Sequence, residues 1–328
     1  MASVSHDQIA ALFANAGVRV VASTYARLPQ IYPLFCEVVD PSAASHAPYG
    51  DKSTTVIWGA DVRRRKDGEE FQSSTMGQGY TPQGAIDLLS GRLDITERDM
   101  EANSADTTIA NKITDWARQW VENTQNFCEQ DVAGLLLRGA ITAGDPAYFD
   151  GGFVGNDDPN AGKIFDGKSL FATDHPLKFV PGSGVANFVA SAALDQTTLT
   201  AARVAYSTTM AKDDTNKQFA QTAQFFLSGS TLAPTAEALL ESQLASGAMD
   251  KNVNYNKLRI IENPFITDTD AWFIGAPGRS IRVMDSGVPQ PRLDWDFKSR
   301  TWVATIEKRW GRYVRDWRGI RGHNLPTS

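Results

Sequence analysis

The stretch DTTIANKITDWARQWVENTQNFCEQDVAGLLLRG, Asp106 to Gly139, decides how the rest of the chain must be built. Its apolar residues recur at Ile109, Ile113, Trp116, Trp120, Phe127, Val132, Leu135 and Leu136. The spacing is that of one face of an α-helix. Ser104 or Asp106 can cap the start, and Gly139 stands where a helix should stop. Such a helix would be ~50 Å long. That exceeds the width of a small domain, and no heptad series accompanies it. The pattern predicts a strut.

Upstream of the strut the chain reads as attachments. Ile9, Leu12, Phe13, Ala16, Val20 and Val21 predict a short helix over residues 6–28, interrupted near Gly17. Prolines at 29, 33, 41 and 48 then exclude a long helix and predict an extended arm. An arm that cannot bury Ile31, Tyr32 and Phe35 locally must bury them on another surface. In TTVIWGADVRRRKDGEEFQ, residues 54–72, Asp67-Gly68 is a strong two-residue hairpin turn. It sets Lys66 opposite Glu69 and Arg65 opposite Glu70, with Arg63 and Arg64 lacking nearby acids. A charged tip so poor in apolar side chains predicts a protruding loop with a partner. GRLDITERDMEAN, Gly91 to Asn103, reads as a returning strand.

Downstream, residues 140–188 are rich in glycine, aspartate and proline and predict a long connection. Helices follow at 195–211 and 234–246, the second with Pro234 in its first turn and Gly247 past its end. Strands are predicted at 224–228, 258–261, 272–274, 281–284 and 302–314. Mixed elements without a regular β-α-β rhythm indicate an α+β fold.

No stretch carries a convincing catalytic or metal-binding pattern. Asp174-His175 could be taken for part of a hydrolase site. Neither a Gly-x-Ser-x-Gly elbow nor an S-x-x-K arrangement accompanies it, and a turn role before Pro176 is the plainer reading. No zinc spacing occurs, and NDDPNAGKIFDG lacks the glycine and closing glutamate of a calcium loop. No phosphate-cradling glycine loop is present. No cofactor is expected. Arg292 to Arg321 holds nine Lys or Arg against four Asp or Glu among Trp295, Trp302, Trp310, Tyr313 and Trp317, a pattern that could serve a nucleic-acid groove. Yet TWVATIEKRWGRY alternates, placing Trp302, Ala304, Ile306, Lys308 and Trp310 on one face. The favoured reading is a sheet with core tryptophans, its arginines meeting acids of a neighbour.

The 328 residues, 42% hydrophobic with a net charge of −6, describe a folded protein that is not a polycation. No apolar run approaches the roughly 20 residues of a membrane span, and the first residues lack a secretory pattern. The chain is expected to be used without crossing a membrane. Cys36 and Cys128 read as buried thiols of a reducing compartment.

Taken in order, these pieces resemble the major capsid proteins of tailed phages with the Hong Kong 97-type fold, especially the Mu-like head subunits. DGKSLFATDHP (Asp166 to Pro176), RLDITERDMEAN and LAPTAEALLESQL carry the resemblance. It implies a non-enzymatic subunit of an icosahedral shell enclosing double-stranded DNA in the virion, assembled in the bacterial cytoplasm. It implies an N-terminal arm over 1–53, an extended loop and returning strand over 54–103, and a peripheral domain over 104–193. An axial domain over 194–279 and a return to the peripheral domain over 280–328 complete the division. Contacts between subunits are expected from Ile31, Tyr32, Phe35, Arg63, Arg64, Arg65, Lys66, Asp67, Gly68, Glu69 and Glu70. Implied partners are sister copies in pentamers and hexamers, a portal, packaged DNA on the inner face and an optional decoration protein. With the strut starting near residue 106, no room remains for an N-terminal scaffolding segment, so a separate scaffolding protein is expected. Lys66 and Asn324 are available for the covalent crosslink some relatives form, but nothing around them fixes that pairing. Asp174-His175 becomes a structural connection. Deleting residues 1–50 is expected to leave a soluble subunit that cannot close a shell. A tail or decoration component is the alternative within virion proteins.

Overall fold

The structure, a computed structural model, describes residues 18–41, 50–52, 57–58, 77–78, 80, 82–96, 106–142, 163–243 and 252–327. The expected strut is present as one helix, Asp106–Leu137, here α2. The backbone N–H of Gly139 bonds the carbonyl of Leu136 at its end (3.3 Å). Ile113, Ala117, Val121, Cys128, Val132, Leu135 and Leu136 form its buried stripe. Phe127, read from sequence as part of that stripe, is instead 47% exposed. It lies one residue, about 100° of helix, from Cys128, and what covers the helix does not reach that far round.

What covers the helix is a five-stranded sheet built around one long strand, β15 (Thr301–Val314). β6 (Asp87–Thr96) runs antiparallel along β15, from Thr96↔Thr301 to Asp87↔Trp310. β13 (Ile281–Asp285) and β14 (Gln290–Asp296) pair with successive stretches of β15, and β1 (Glu37–Val39) adds in parallel to β13. The predicted alternation of β15 holds: Trp302, Ala304, Ile306, Lys308 and Trp310 are all buried. Gly91 of β6 has a specific reason to be glycine. A Cβ there would lie 2.2 Å from the Trp120 indole of α2, so the missing side chain sets how closely helix and sheet approach. A short helix, α1 (Val18–Arg27), wedges Val21 against Ala117, Val121 and Ile306.

A second five-stranded sheet has the order β11-β10-β12-β16-β9. Its strands are β9 (Phe188–Val189), β10 (Phe225–Ser228), β11 (Arg259–Glu262), β12 (Trp272–Gly275) and β16 (Ile320–His323). β10 and β12 are buried at every position. They therefore read as continuous apolar runs, FFLS and WFIG, rather than alternating ones. Two helices flank this sheet in the chain, α3 (Gln196–Ser207) and α4 (Ala233–Leu240). Asp195 and Thr198 close a capping box at the start of α3, worth about 1 kcal/mol. Short antiparallel pairs complete the set: β2 (Gly50–Lys52) with β5 (Gln83–Ala85), β3 (Ile57–Trp58) with β4 (Gly77–Gln78), and β7 (His175–Leu177) with β8 (Val180–Val185).

Two expectations need correction. The second sheet is not confined to residues 194–279, because β9 and β16 complete it from outside, and 280–328 divides between both sheets. Strands β14 and β16 were not anticipated at all. The arm residues Tyr32 and Phe35 are 1% and 2% exposed and belong to the chain's own main core, with Ile31 packed against it. They are not held back for a neighbour. That core runs unbroken from Tyr32 and Trp310 through Cys128, Leu135 and Phe171 to Phe225, Trp272 and Trp317. Among the described residues, no helix is long and apolar enough to cross a membrane.

Candidate assembly site

The Asp174-His175 pair is taken apart by the fold. β7 begins at His175, so adjacent side chains point to opposite sides. Asp174 turns outward to an ion pair with Lys168. His175 turns inward, fully buried, and its Nδ1 lies 2.7 Å from Asp166 Oδ2. Its Nε2 faces Asn187 Oδ1 (3.1 Å) and the Leu170 carbonyl (3.2 Å), and the ring stacks on Trp317 at 4.3 Å. Asn187 Nδ2 donates to the carbonyls of Leu170 and Trp317, while Asn187 Oδ1 accepts from the Ala172 N–H. The nearby hydroxyl, Ser169, donates to the Ile141 carbonyl at 2.6 Å. Both ring nitrogens are engaged with acceptors, and no nucleophile bonds to the ring among the described residues. A general base needs an open nitrogen within reach of its proton. The cluster is a latch tying the 163–189 segment to the turn at Trp317, not a hydrolytic site, and the partner of His175 is Asp166 rather than Asp174.

The C-terminal basic and aromatic segment is likewise occupied. Trp302, Trp310 and Trp317 are buried and cannot serve as stacking platforms for bases. The Arg312 guanidinium forks onto Asp131 of α2, both bonds 2.8 Å, and the Trp310 indole N–H donates to the same carboxylate. Arg318 is clamped by Asp214, and Glu37 of β1 accepts from both Arg282 and Arg315. Burial works to raise the Glu37 pKa, but Arg282 and Arg315 pull it below the ordinary carboxylate value. Arg312, Arg315 and Arg318 therefore meet acids, but acids supplied by other parts of the same chain, whereas Arg321 donates to the Ala186 carbonyl. These forked pairs pin the sheet to α2 and to the arm.

The arm itself is held by two buried carboxylates. Glu129 of α2 accepts the backbone N–H of Ile31 (2.7 Å) and of Tyr32 (3.2 Å). Burial pushes the Glu129 pKa up, and those two donors partly restrain it. Asp285 of β13 accepts from the Tyr32 hydroxyl and lies 3.1 Å from Lys308 Nζ. What remains outward is the surface of a scaffold fixed from within, with no cluster able to hold a metal ion among its described residues.

A family described as phage capsid protein matches residues 88–321, which span the strut and most of both sheets. The chain belongs to that family. No curated protein matches it. Among solved structures, that of Mycobacterium phage Patience is 10% identical with a TM-score of 0.52, over 99% of this chain and 91% of that one. The capsid of the cyanophage P-SCSP1u is 12% identical with a TM-score of 0.51, over 92% and 90%. At those identities the likeness fixes the fold, the Hong Kong 97-type capsid fold. This capsid protein is a structural, non-enzymatic major capsid subunit that self-assembles into the virion shell.

Of the capsid protein's expected contact residues, Arg63, Arg64, Arg65, Lys66, Asp67, Gly68, Glu69 and Glu70 lie outside the described residues. Asn324 is committed elsewhere. Its amide receives the Ala192 N–H at 2.6 Å and donates to the carbonyls of Ala192 and Asp270, from a backbone φ of 56°. Sequence reasoning also missed His323. Its ring stacks on Trp272 at 3.7 Å, and neither nitrogen has a partner among the described residues. Burial, helped by the Arg321 charge, pushes its pKa down from 6.5 to about 3. Between those values the unfolded chain binds a proton that the folded subunit refuses. Stability therefore falls as pH drops through that window, by about 2 kcal/mol at about pH 5. His323→Phe keeps the stack and removes the titration. Urea unfolding of the unassembled subunit at pH 7 and pH 5 should show a smaller acid loss for the variant. An equal loss in both proteins would assign the acid sensitivity elsewhere.

Proposed function

We propose that the subunit occupies the pentamers and hexamers of a closed icosahedral shell around double-stranded DNA, with residues 54–82 reaching across an adjacent subunit as a hairpin, while 87–90 stay paired with β15 of their own chain. The observation that carries the reading is a shared register. Gly50 pairs with Ala85 and Lys52 with Gln83, while Ile57 pairs with Gln78 and Trp58 with Gly77. Each residue forward on one strand is matched by one residue back on the other, through both pairs. Continued inward, that register meets at Asp67-Gly68, the dipeptide best suited to a two-residue turn. An isolated two-stranded ribbon of this kind is marginal alone and gains support by lying on another surface. The contact residues are then Arg63 to Glu70, whose mixed charges select the register of the neighbour more than they add affinity.

The family resemblance supports the further parts. A separate scaffolding protein and a portal act during assembly, DNA lies against the inner face, and a decoration protein is optional outside. The Mu-like head subunits are the subgroup the motifs favour.

Electron microscopy of the protein expressed with its scaffolding protein should show closed shells. Replacing residues 63–70 by a glycine-serine linker should leave the subunit's unfolding curve unchanged and abolish closed shells. Rings or fibres from the parent protein would overturn the shell reading in favour of a tail component. Normal shells from the linker variant would overturn the hairpin contact.

A further inference from the structure

The turn between β14 and β15 carries the most exposed large apolar side chain among the described residues, Phe297 at 85%. Its setting is rigid. Asp296 Oδ1 accepts the Lys298 N–H (2.9 Å), and Asp296 Oδ2 accepts the Ser299 hydroxyl (2.8 Å). Asp296 pairs across with Thr301, and Arg300 closes the turn at a φ of 49°. A pinned turn that holds an aromatic ring in water gains nothing from that ring within the subunit. Among the described residues the ring has one aromatic neighbour, Trp295, met edge-on with centroids 6.4 Å apart.

Behind Phe297 lies a small separate core of Ile95, Ile113, Trp302 and Ala304, flanked by Leu93, Trp116, Leu293 and Trp295. The T-shaped Trp295–Trp302 pair, at 5.3 Å, is the outermost layer of that core, and Phe297 stands one step beyond it. The core therefore ends in an aromatic that no element among the described residues covers. Around it sits a charged rim of both signs: Arg92 bonded to Asp94, then Asp294, Asp296, Lys298 and Arg300. An aromatic centre with a polar rim is the anatomy of a contact hot spot.

The charge of the turn selects the occupant. Asp294, Asp296, Lys298 and Arg300 sum to zero, so the tip offers no basic patch to DNA and no net repulsion to another copy of itself. The surface every subunit meets on assembly is that of a sister subunit.

We propose that Phe297 is an anchor between subunits, its ring inserting into apolar surface on a second copy and closing the outer end of the Ile95–Ile113–Trp302–Ala304 core. This rests on the self-assembly reading and adds to it a surface away from residues 63–70. A buried aromatic of this kind would remove roughly 150–250 Å² from water per contact.

Two variants test it in the full chain expressed with scaffolding protein. Phe297→Ser removes an exposed ring, so the unassembled subunit should unfold at the same denaturant concentration as the parent. Its yield of closed shells should fall about tenfold or more. A benzophenone-bearing phenylalanine at position 297 should give, on illumination, crosslinked subunit dimers from assembled particles and none from dilute unassembled subunit. Unchanged shell yield for Phe297→Ser, or crosslinks to DNA or scaffolding protein in place of dimers, would overturn the anchor while the shell reading stands. Failure of the parent itself to form shells would overturn the reading on which the anchor depends.

Discussion

Replacing Lys308 by Met lowers the stability of the unassembled subunit by about 3–5 kcal/mol, the range for breaking a buried ion pair from one side. Lys308 is 1% exposed at the centre of the inward face of β15, between Ile306 and Trp310. Its ammonium lies 3.1 Å from Asp285 and over the Tyr25 ring at 4.8 Å. Burial works to lower the Lys308 pKa, yet Cys128, Asp285 and Tyr25 around it hold the value above the ordinary one. Methionine matches the volume, so packing survives and the loss reports charge. Asp285 would keep the hydroxyls of Tyr32 and Tyr25 and the Gly287 N–H as donors, but would stay a buried carboxylate without its cation. The double variant Lys308→Met with Asp285→Asn removes both charges while the amide oxygen still accepts from the Tyr32 hydroxyl, and should recover most of the loss. Urea titrations of the parent, both single variants and the double give the coupling directly. A Lys308→Met loss under about 1 kcal/mol would mean that the pair behaves like an exposed one.

The position of Lys308 was legible where its partner was not. Alternation along TWVATIEKRW puts Lys308 on the tryptophan face, but which carboxylate answers it depends on a strand more than twenty residues earlier. The same division recurs across the fold. The strut announces itself because period, cap and stop signal agree within one local stretch. The exposure of Phe127 does not, because it depends on how far a sheet from the other end of the chain wraps the helix. At Asp174-His175, adjacency in sequence suggested a pair that strand geometry forbids, and the true partner, Asp166, comes from the preceding turn. β16 carries IRGH, with too little apolar character to read as a buried central strand. It is buried because β12 and β9 enclose it. The turn expected at Asp67-Gly68 from its dipeptide lies outside the described residues, and the flanking pairs, 50–52 with 83–85 and 57–58 with 77–78, became visible only as register. Proline density around residues 29–48 excluded a long helix, but among the described residues the backbone there is a 3₁₀ turn, Tyr32–Leu34, followed by a short strand, Glu37–Val39, and the pattern could not say whose core it serves.

That last point changes what truncation should do. Deleting residues 1–41 is expected to leave no cooperatively folded subunit, rather than a soluble one that merely fails to close a shell. Tyr32 packs edge-on against Trp310 with centroids 5.2 Å apart, and Phe35 packs against Phe225 at 6.0 Å. Losing two buried aromatics costs about 3–5 kcal/mol each in comparable cores. Glu129 would also lose both backbone donors, leaving Gln125 as its remaining bond, and Arg282 and Arg315 would lose Glu37. Together these approach or exceed the roughly 5–15 kcal/mol that holds a typical domain folded. Deleting only residues 1–17 removes none of these contacts and should give a subunit that unfolds cooperatively. Phe35→Ala isolates a single aromatic, with an expected loss of about 3–5 kcal/mol. Soluble yield and the sharpness of urea unfolding distinguish the three proteins. A 1–41 deletion that still unfolds in one sharp transition, within about 2 kcal/mol of the parent, would mean that the main core closes without Tyr32 and Phe35. The arm would then belong to the neighbour after all.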